Sequence, residues 1–289
     1  MILSKRRFLP VLLSSIISIS LVGCFHDEAE EDHHHDDTIN LTLDAAEVIS
    51  NPLSTGEIAT ASLMFHEVES ELTGTVTYTG TTAIAALHVH EGFAGQSGDV
   101  LITLVNDDTD TNKWNIPDDE ASLIVNDTLE AGGYYLNAHF ADGKTLRAQI
   151  LNHDVVVRVA ALAAHDGVTT TGGGFVGVTV NMETHNVKAY ARVTGLTDIK
   201  ADPGGVHLHI EDASNANAEL ISLSEDTDVA SGDLDATANE KAYKIATAEM
   251  LSMDDLMHIG AARWYINVHT DTNAAGELKG SLAAIEHAH

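Results

Sequence analysis

The sequence predicts an all-β chain: two tandem, Greek-key-like antiparallel β-sandwich or barrel domains, behind a lipoprotein signal peptide and a disordered acidic tether. Three observations carry this. Apolar runs are short, alternate with polar residues and are broken at frequent intervals by Gly, Asn and Asp turns. A His-x-His strand occurs twice, as His88-Val89-His90-Glu91 and as His207-Leu208-His209-Ile210-Glu211. Each copy is followed downstream by Asn-x-His, first Asn137-Ala138-His139 and then Asn267-Val268-His269. The His-x-His copies lie 119 positions apart and the Asn-x-His copies 130, so the second half carries 11 extra residues between its motifs. The acidic stretch from Ser224 to Glu240 is the place for them.

At 289 residues the chain is long enough for two domains with real cores, and 44% apolar content is ordinary for that. A formal net charge of −30 is not ordinary. It argues against nucleic acid or an anionic membrane surface as partner, since both would repel the chain, and it favours cations. Cys24 is the one cysteine, so no disulfide forms within the chain.

Lys5-Arg6-Arg7, the apolar or small residues from Phe8 to Val22, and Leu21-Val22-Gly23-Cys24 have the layout of a secretory signal peptide ending in a bacterial lipobox. Residues 1–23 are read as the signal and Cys24 as the lipidation site, with the membrane reached through that lipid. The apolar stretch is short for a spanning helix and contains Pro10. Phe25, rather than Asp, after the cysteine points to the outer membrane of the cell envelope. Residues 24–37, with His26 and His33 to His35 among carboxylates, lack apolar periodicity and read as a tether that holds divalent metal weakly.

In the first domain, residues 38–152, strands are expected at Thr38–Leu43, Ile58–Val68 and Glu71–Thr79. The last puts Leu72, Gly74, Val76 and Tyr78 on one side and threonines on the other. The His-x-His strand follows, then Gly95 to Gly98 as a turn and Val100–Val105 as the next strand. Asp118–Glu130 fits a short helix or a strand. Tyr134–Phe140 and Leu146–Leu151 form a hairpin around Asp142-Gly143. In the second domain, residues 153–289, Val155–Ala164 leads to a hairpin of Phe175–Met182 and Val187–Val193, with Lys188, Tyr190 and Arg192 facing out. The second His-x-His strand, an apolar run at Leu220–Leu223, a short helix capped by Ser252, a strand at Ala262–Thr270 and a closing strand at Glu277–Ala283 complete the copy.

Side chains alternate along a strand, so His88 and His90 share one face while Leu87 and Val89 turn to the core. Asn137 and His139 share the face opposite Leu136 and Ala138 in the same way. Three imidazoles on one outer face, twice, form a candidate site for Cu or Zn: His88, His90 and His139 in one domain, His207, His209 and His269 in the other. Glu91, Asn137, Glu211 and Asn267 are candidates to support those ligands by hydrogen bonds. The bland alternative is histidines that only bond across the sheet. No Ser-His-Asp arrangement, thiol nucleophile or phosphate loop is evident; Gly172 to Gly174, read as a Gly-rich loop between strands, lacks the Lys and helix of a P-loop.

His-Val-His-Glu-Gly with Gly98 before an apolar strand, Gly132-Gly133-Tyr134-Tyr135-Leu136-Asn137-Ala138-His139-Phe140 and Leu146-Arg147-Ala148-Gln149-Ile150 resemble the chordin-type (CHRD) domain. Residues 261 to 269 with Asn273-Ala274-Ala275-Gly276-Glu277-Leu278-Lys279-Gly280 are similar to that family's ending, with Ala275 in place of its Pro and Lys279 in place of its Arg. The resemblance spans about residues 38 to 285 and implies an all-β fold without fixing a role. The His-x-His strand is also similar, more distantly, to the copper-ligand strand of copper,zinc superoxide dismutases, Greek-key barrels in which a late histidine completes the site and an Arg guides the anion. That likeness implies an anion-guiding role for Arg147 and Lys279, but no histidine clearly supplies the bridging ligand. Three readings stand: a lipid-anchored metal-binding envelope protein, a superoxide dismutase-like enzyme, and an adhesive surface module without catalysis. The acidity disfavours the enzyme, because superoxide is an anion.

Overall fold

The structure is a computed structural model that describes residues 37–53, 56–201, 204–211, 218–229, 234–246, 249–260 and 263–285. The signal peptide, Cys24, the acidic tether up to residue 36 and the last four residues lie outside the described residues; Asp37, read as the tether's last residue, opens the first strand. No described helix is long and apolar enough to cross a membrane.

The first half contains β1 (Asp37–Leu43), β2 (Ala59–His66), β3 (Glu71–Tyr78), β4 (Ile84–Glu91), β5 (Val100–Thr103), β6 (Val105–Asn106), β7 (Lys113–Asn115), helix α1 (Asn126–Glu130), β8 (Tyr134–Phe140) and β9 (Thr145–Ile150). They form two antiparallel sheets, β1-β2-β3-β7-β6 and β5-β4-β8-β9. Both seams between the sheets are bridged. At one, Asp44, just past β1, exchanges both backbone hydrogen bonds with Arg147 of β9, at 3.1 and 3.0 Å. At the other, the run expected as a single strand from Val100 to Val105 is broken at Leu104. Leu104 is buried and its N–H donates to Leu87, so β5 pairs with β4 and β6 with β7.

The second half repeats the plan with β10 (Val155–Ala164), β11 (Gly173–Asn181), β12 (Asn186–Thr194), β13 (Val206–Ile210), β14 (Ala218–Glu225), β15 (Lys241–Lys244), β16 (Glu249–Met250), helix α2 (Met253–Gly260), β17 (Trp264–Val268), β18 (Leu278–Ser281) and β19 (Ala283–Ala284). Here the ladder closes on itself as β10-β11-β12-β15-β14-β13-β17-β18 and back to β10. It is an eight-stranded antiparallel barrel whose strands, counted along the chain, run 1-2-3-6-5-4-7-8 in space, a Greek-key order. The first half follows the same order once β5 and β6 are counted as one strand. Each half packs its inward residues into its own core, around Leu43, Leu63, Leu72, Leu87 and Leu136 in one and Val178, Val180, Leu208, Ile266 and Leu278 in the other.

Of the two alternatives for Asp118–Glu130 the helical one is found, as a 3-10 turn at Ala121–Leu123 and α1. Three expectations need correction. Ser224 and Glu225 belong to β14 rather than to an insertion. Gly173 and Gly174 already belong to β11 rather than to a loop. Arg192 alternates outward as expected but is buried, because the segment carrying Glu240 lies near it, with Nη1 3.9 Å from a Glu240 oxygen. Ser252 caps α2 as expected: its Oγ accepts from Asp255 N–H at 3.2 Å, and Asp255 accepts from Ser252 N–H at 3.1 Å.

The loop between β4 and β5 reaches the second barrel. Phe93 stacks on Tyr190 with centroids 6.0 Å apart and planes 9° from parallel. Ala94 joins Leu151, Val155, Val157, Val159 and Phe175 in a small shared cluster. Backbone meets backbone there: a Cβ on Gly177 would lie 2.2 Å from the Ala94 carbonyl carbon and 2.4 Å from Gly95 N. We therefore expect Gly177→Val to cost about 1–3 kcal/mol by overpacking and to split a single calorimetric unfolding transition into two, one per barrel. A single unshifted transition would show that the loop contact carries no coupling.

Candidate metal centre

The pairing of β4 with β8 sets the first histidine triad. His88 stands in register with Asn137, His90 with Tyr135 and Ala86 with His139, so these side chains share the barrel's outer face while Leu87, Val89, Leu136 and Ala138 fill the core. The three ring centroids lie 5.5 Å (His88 to His90), 5.2 Å (His88 to His139) and 5.9 Å (His90 to His139) apart. In the second barrel β13 pairs with β17, placing His207 opposite Asn267 and His209 opposite Tyr265, with His269 just beyond the strand end. The corresponding distances are 5.7, 5.0 and 6.1 Å. In each triad one ring nitrogen from every histidine lies within 4.8 Å of the others. All six sequence-predicted ligands therefore converge, three per barrel.

A matching irregularity adjoins both sites. Between Val89 and His90, and between Leu208 and His209, the register to the neighbouring strand slips, leaving Leu101 and Leu220 as extra residues. Bulges of this kind re-aim side chains at the edge of a ladder. In the first barrel the bulge sits where the returning loop brings the Gly98 carbonyl within 3.0 Å of His90 Nδ1. A carbonyl only accepts, so Nδ1 carries the proton and Nε2 keeps its lone pair. No side chain is tolerated at Gly98, where a Cβ would lie 1.6 Å from the Glu91 carbonyl oxygen. In the second barrel His269 Nδ1 donates to the Ala274 carbonyl at 3.0 Å, which likewise directs its Nε2 lone pair away from the turn.

Burial sets the protonation of the first triad. It pushes His90 down to about 4, helped by the neighbouring imidazoles and Arg147 and opposed by the Gly98 bond. Burial also lowers His88 and His139, the latter aided by His88. The rings are neutral at neutral pH, the state in which imidazole is a ligand. Among the described residues, His88 Nδ1, His90 Nε2, His139 Nε2 and Asn137 Oδ1 are buried with no hydrogen-bond partner. Leaving several such atoms unmet costs about 1–3 kcal/mol each.

The rings are held by a stack that the sequence reading missed. Tyr135 lies flat on His90, 4.9 Å away at 8°, and the Arg147 guanidinium sits 3.5 Å over the other face of Tyr135. Tyr265 lies on His209 at 4.9 Å and 7°, with Lys279 4.0 Å over it. The signal was present as Tyr-x-Asn-x-His in both halves.

Arg147 is buried, and its guanidinium donates to the carbonyls of Gln96 at 2.8 Å and Phe93 at 3.0 Å and to the Gln149 side chain at 3.0 Å. Lys279 instead pairs with Glu211 at 3.0 Å. Among the described residues, Glu211 thus reaches the site through Lys279 and Tyr265. Glu91 is exposed and on the opposite parity from His88 and His90; no side-chain hydrogen bond joins it to the triad among the described residues. Asn267 donates to the Ala275 carbonyl at 3.2 Å. An open cleft of about 260 Å³ adjoins the first triad, with His139, Asn137, Tyr135 and Arg147 among its walls.

The CHRD domain model matches residues 39–150 and again 157–282. The chain belongs to the CHRD-domain family. Neither curated proteins nor solved structures provide a match. Each CHRD domain contains one triad, and the second adds a pin that the first lacks. Glu277 is buried beside the turn that carries His269, and its carboxylate accepts from Thr170 at 2.6 Å, Thr270 at 2.7 Å and Asn273 at 3.0 Å.

These bonds hold the Glu277 carboxyl below its ordinary value. The unfolded chain then binds the proton more readily, so this contribution is complete above about pH 4.3 and is lost as the pH falls through the folded value. Glu277→Gln is expected to cost about 2 kcal/mol at pH 7 and to flatten the acid limb of a stability–pH curve measured by urea denaturation. An unchanged acid limb would assign the acid sensitivity to other groups.

Proposed function

We propose that each CHRD domain binds one copper or zinc ion through its three imidazoles, and that the chain is a lipid-anchored protein of the bacterial envelope. The observation that supports metal binding best is that His88, His90 and His139 each keep a buried ring nitrogen without a hydrogen-bond partner, while the three rings offer ligand atoms within 4.8 Å of one another. Histidines serving only to bond across a sheet would spend those atoms on partners. An all-imidazole set without thiolate suits Cu(II) or Zn, and Zn–N bonds of about 2.0–2.1 Å would draw the rings together slightly. His90 and His269 already donate their other ring nitrogen to a carbonyl, the arrangement that orients a metal-bound imidazole. A bound ion would supply charge that holds anionic or neutral oxygen and nitrogen ligands at the cleft beside His139.

A carrier or structural ion fits better than superoxide chemistry. The two cations implied as anion guides are committed, Arg147 to loop carbonyls and Lys279 to Glu211. The acidic surface opposes an anionic substrate as well. The lipid anchor rests on Leu21-Val22-Gly23-Cys24, and Phe25 favours the outer membrane. Copies displayed this way would present both barrels above the bilayer on the acidic tether.

With His26 and His33 to His35 replaced by Ala, plasma mass spectrometry should find about two equivalents of Cu or Zn per chain. Adding His88→Ala and His90→Ala should leave about one, with circular dichroism unchanged. No retained metal after Cu and Zn are both offered would sink this reading and favour the adhesive module. Unfolding of the double variant in metal-free buffer would make the pair structural.

A further inference from the structure

A second kind of ligand gathers in the second half of the chain, between His209 and His269 in sequence but outside the triad they belong to. Three of the chain's six methionines fall within eight residues, Met250, Met253 and Met257. Methionine is ordinarily a buried gap-filler, yet these are 72%, 65% and 67% exposed. Their exposure follows from how α2 is fixed. Leu251 and Leu256 are both buried in the second core, one residue before the Ser252 cap and four after it, and they clamp the helix entry from both sides. With those two turned inward, Met253 and Met257 fall one turn apart on the outer face, about 5–6 Å between Cβ atoms. Met250 ends β16 two residues before the cap, where its backbone pairs with Asn186. Single exposed apolar residues need no explanation; three flexible thioethers within eight residues, one before α2 and two on its exposed face, do.

We infer that Met250, Met253 and Met257 form a site for a soft monovalent metal ion, Cu(I) in chemical class, separate from the histidine triads. Thioether sulfur is a soft, neutral donor that selects Cu(I) over Zn and over hard cations. Three rotatable bonds per side chain let the sulfurs converge on an ion without moving the helix. Asp254 and Asp255 in the first turn add negative charge beside the site. The proposal stands whether or not the triads bind metal, because it uses none of their residues.

The test is a titration of the full chain carrying Cys24→Ser and labelled with 13C at the methionine ε-methyl groups, using Ag(I) as the redox-inert probe. The methyl resonances of Met250, Met253 and Met257 should shift together and saturate at one equivalent, while Met64 and Met182 stay still. Met250→Leu, Met253→Leu and Met257→Leu together should abolish that saturation without altering the remaining spectrum. Zn(II) titrated into the same sample reports on the triads and should leave the three methyls unmoved. Methyls that ignore Ag(I), or move only at several equivalents, would overturn the site. Shifts that track protein concentration instead would also overturn it and make the patch a contact between copies.

Discussion

A charge buried inside the first CHRD domain dictates much of what surrounds it. A guanidinium cannot shed its proton to relieve its burial, so every donor of Arg147 must be met within the fold or left at a cost. Glu47, buried nearby, supplies opposite charge, and the carbonyls of Phe93 and Gln96 take two of the donors. Those carbonyls lie on the loop that also offers Gly98 to His90 and lays Ala94 and Gly95 against Gly177. One ion therefore fixes the imidazole stack on one side and the seam between the barrels on the other. Gln149 ties the same loop to the turn before β8 by donating to the carbonyls of Gly92 and Gly132.

The second domain reaches a similar triangle of rings by other means. Lys279 stays near the surface and pairs with Glu211, so its stack on Tyr265 is not tied to a loop. Rigidity comes instead from the turn after β17, where Ala274, Ala275 and Glu277 hold His269, Asn267 and Thr270. Two solutions to the same placement, one locked at the domain junction and one locked by its own turn, give the triads different surroundings. Electrostatic and conformational differences between the sites follow from that, since a buried cation lies across one tyrosine ring from His90 and a paired surface ammonium across one from His209.

Much of this was legible in the sequence, because strand alternation is a period-two signal that survives without any tertiary knowledge. His88, His90 and His139 could be placed on one face by counting, and so could Leu87, Val89 and Leu136 on the other. The duplicated spacing made one copy a check on the other. What counting could not supply was anything set by a third element. Arg192 alternates outward yet is covered by the segment bearing Glu240. Leu104 sits in an apolar run yet ends a strand, because its pairing changes sheets there. Glu91 follows two site histidines in sequence but points the other way, and the stack of Tyr135 between His90 and Arg147 needs three strands in register. The bulges beside His90 and His209 are likewise invisible until β5 and β14 are laid against their neighbours.

Ring closure ties the ends of each domain together late in the chain. Asp44 meets Arg147, and Ala163 meets Lys279, so in both barrels the first strand waits for the last. Contacts so distant in sequence carry their loop-closure entropy before they return any stability, which places both barrels among slow folders. Synthesis delivers the first barrel whole before β11 and β12 exist. During that interval Phe93 and Ala94 lack the surface of the second hairpin, and the loop that supports His90 is held by its own barrel, through Arg147, Gln149, Tyr135 and the backbone of Gly133. The nascent chain thus passes through a stage with one finished barrel and an uncovered apolar tip, and arrival of the second hairpin ends it.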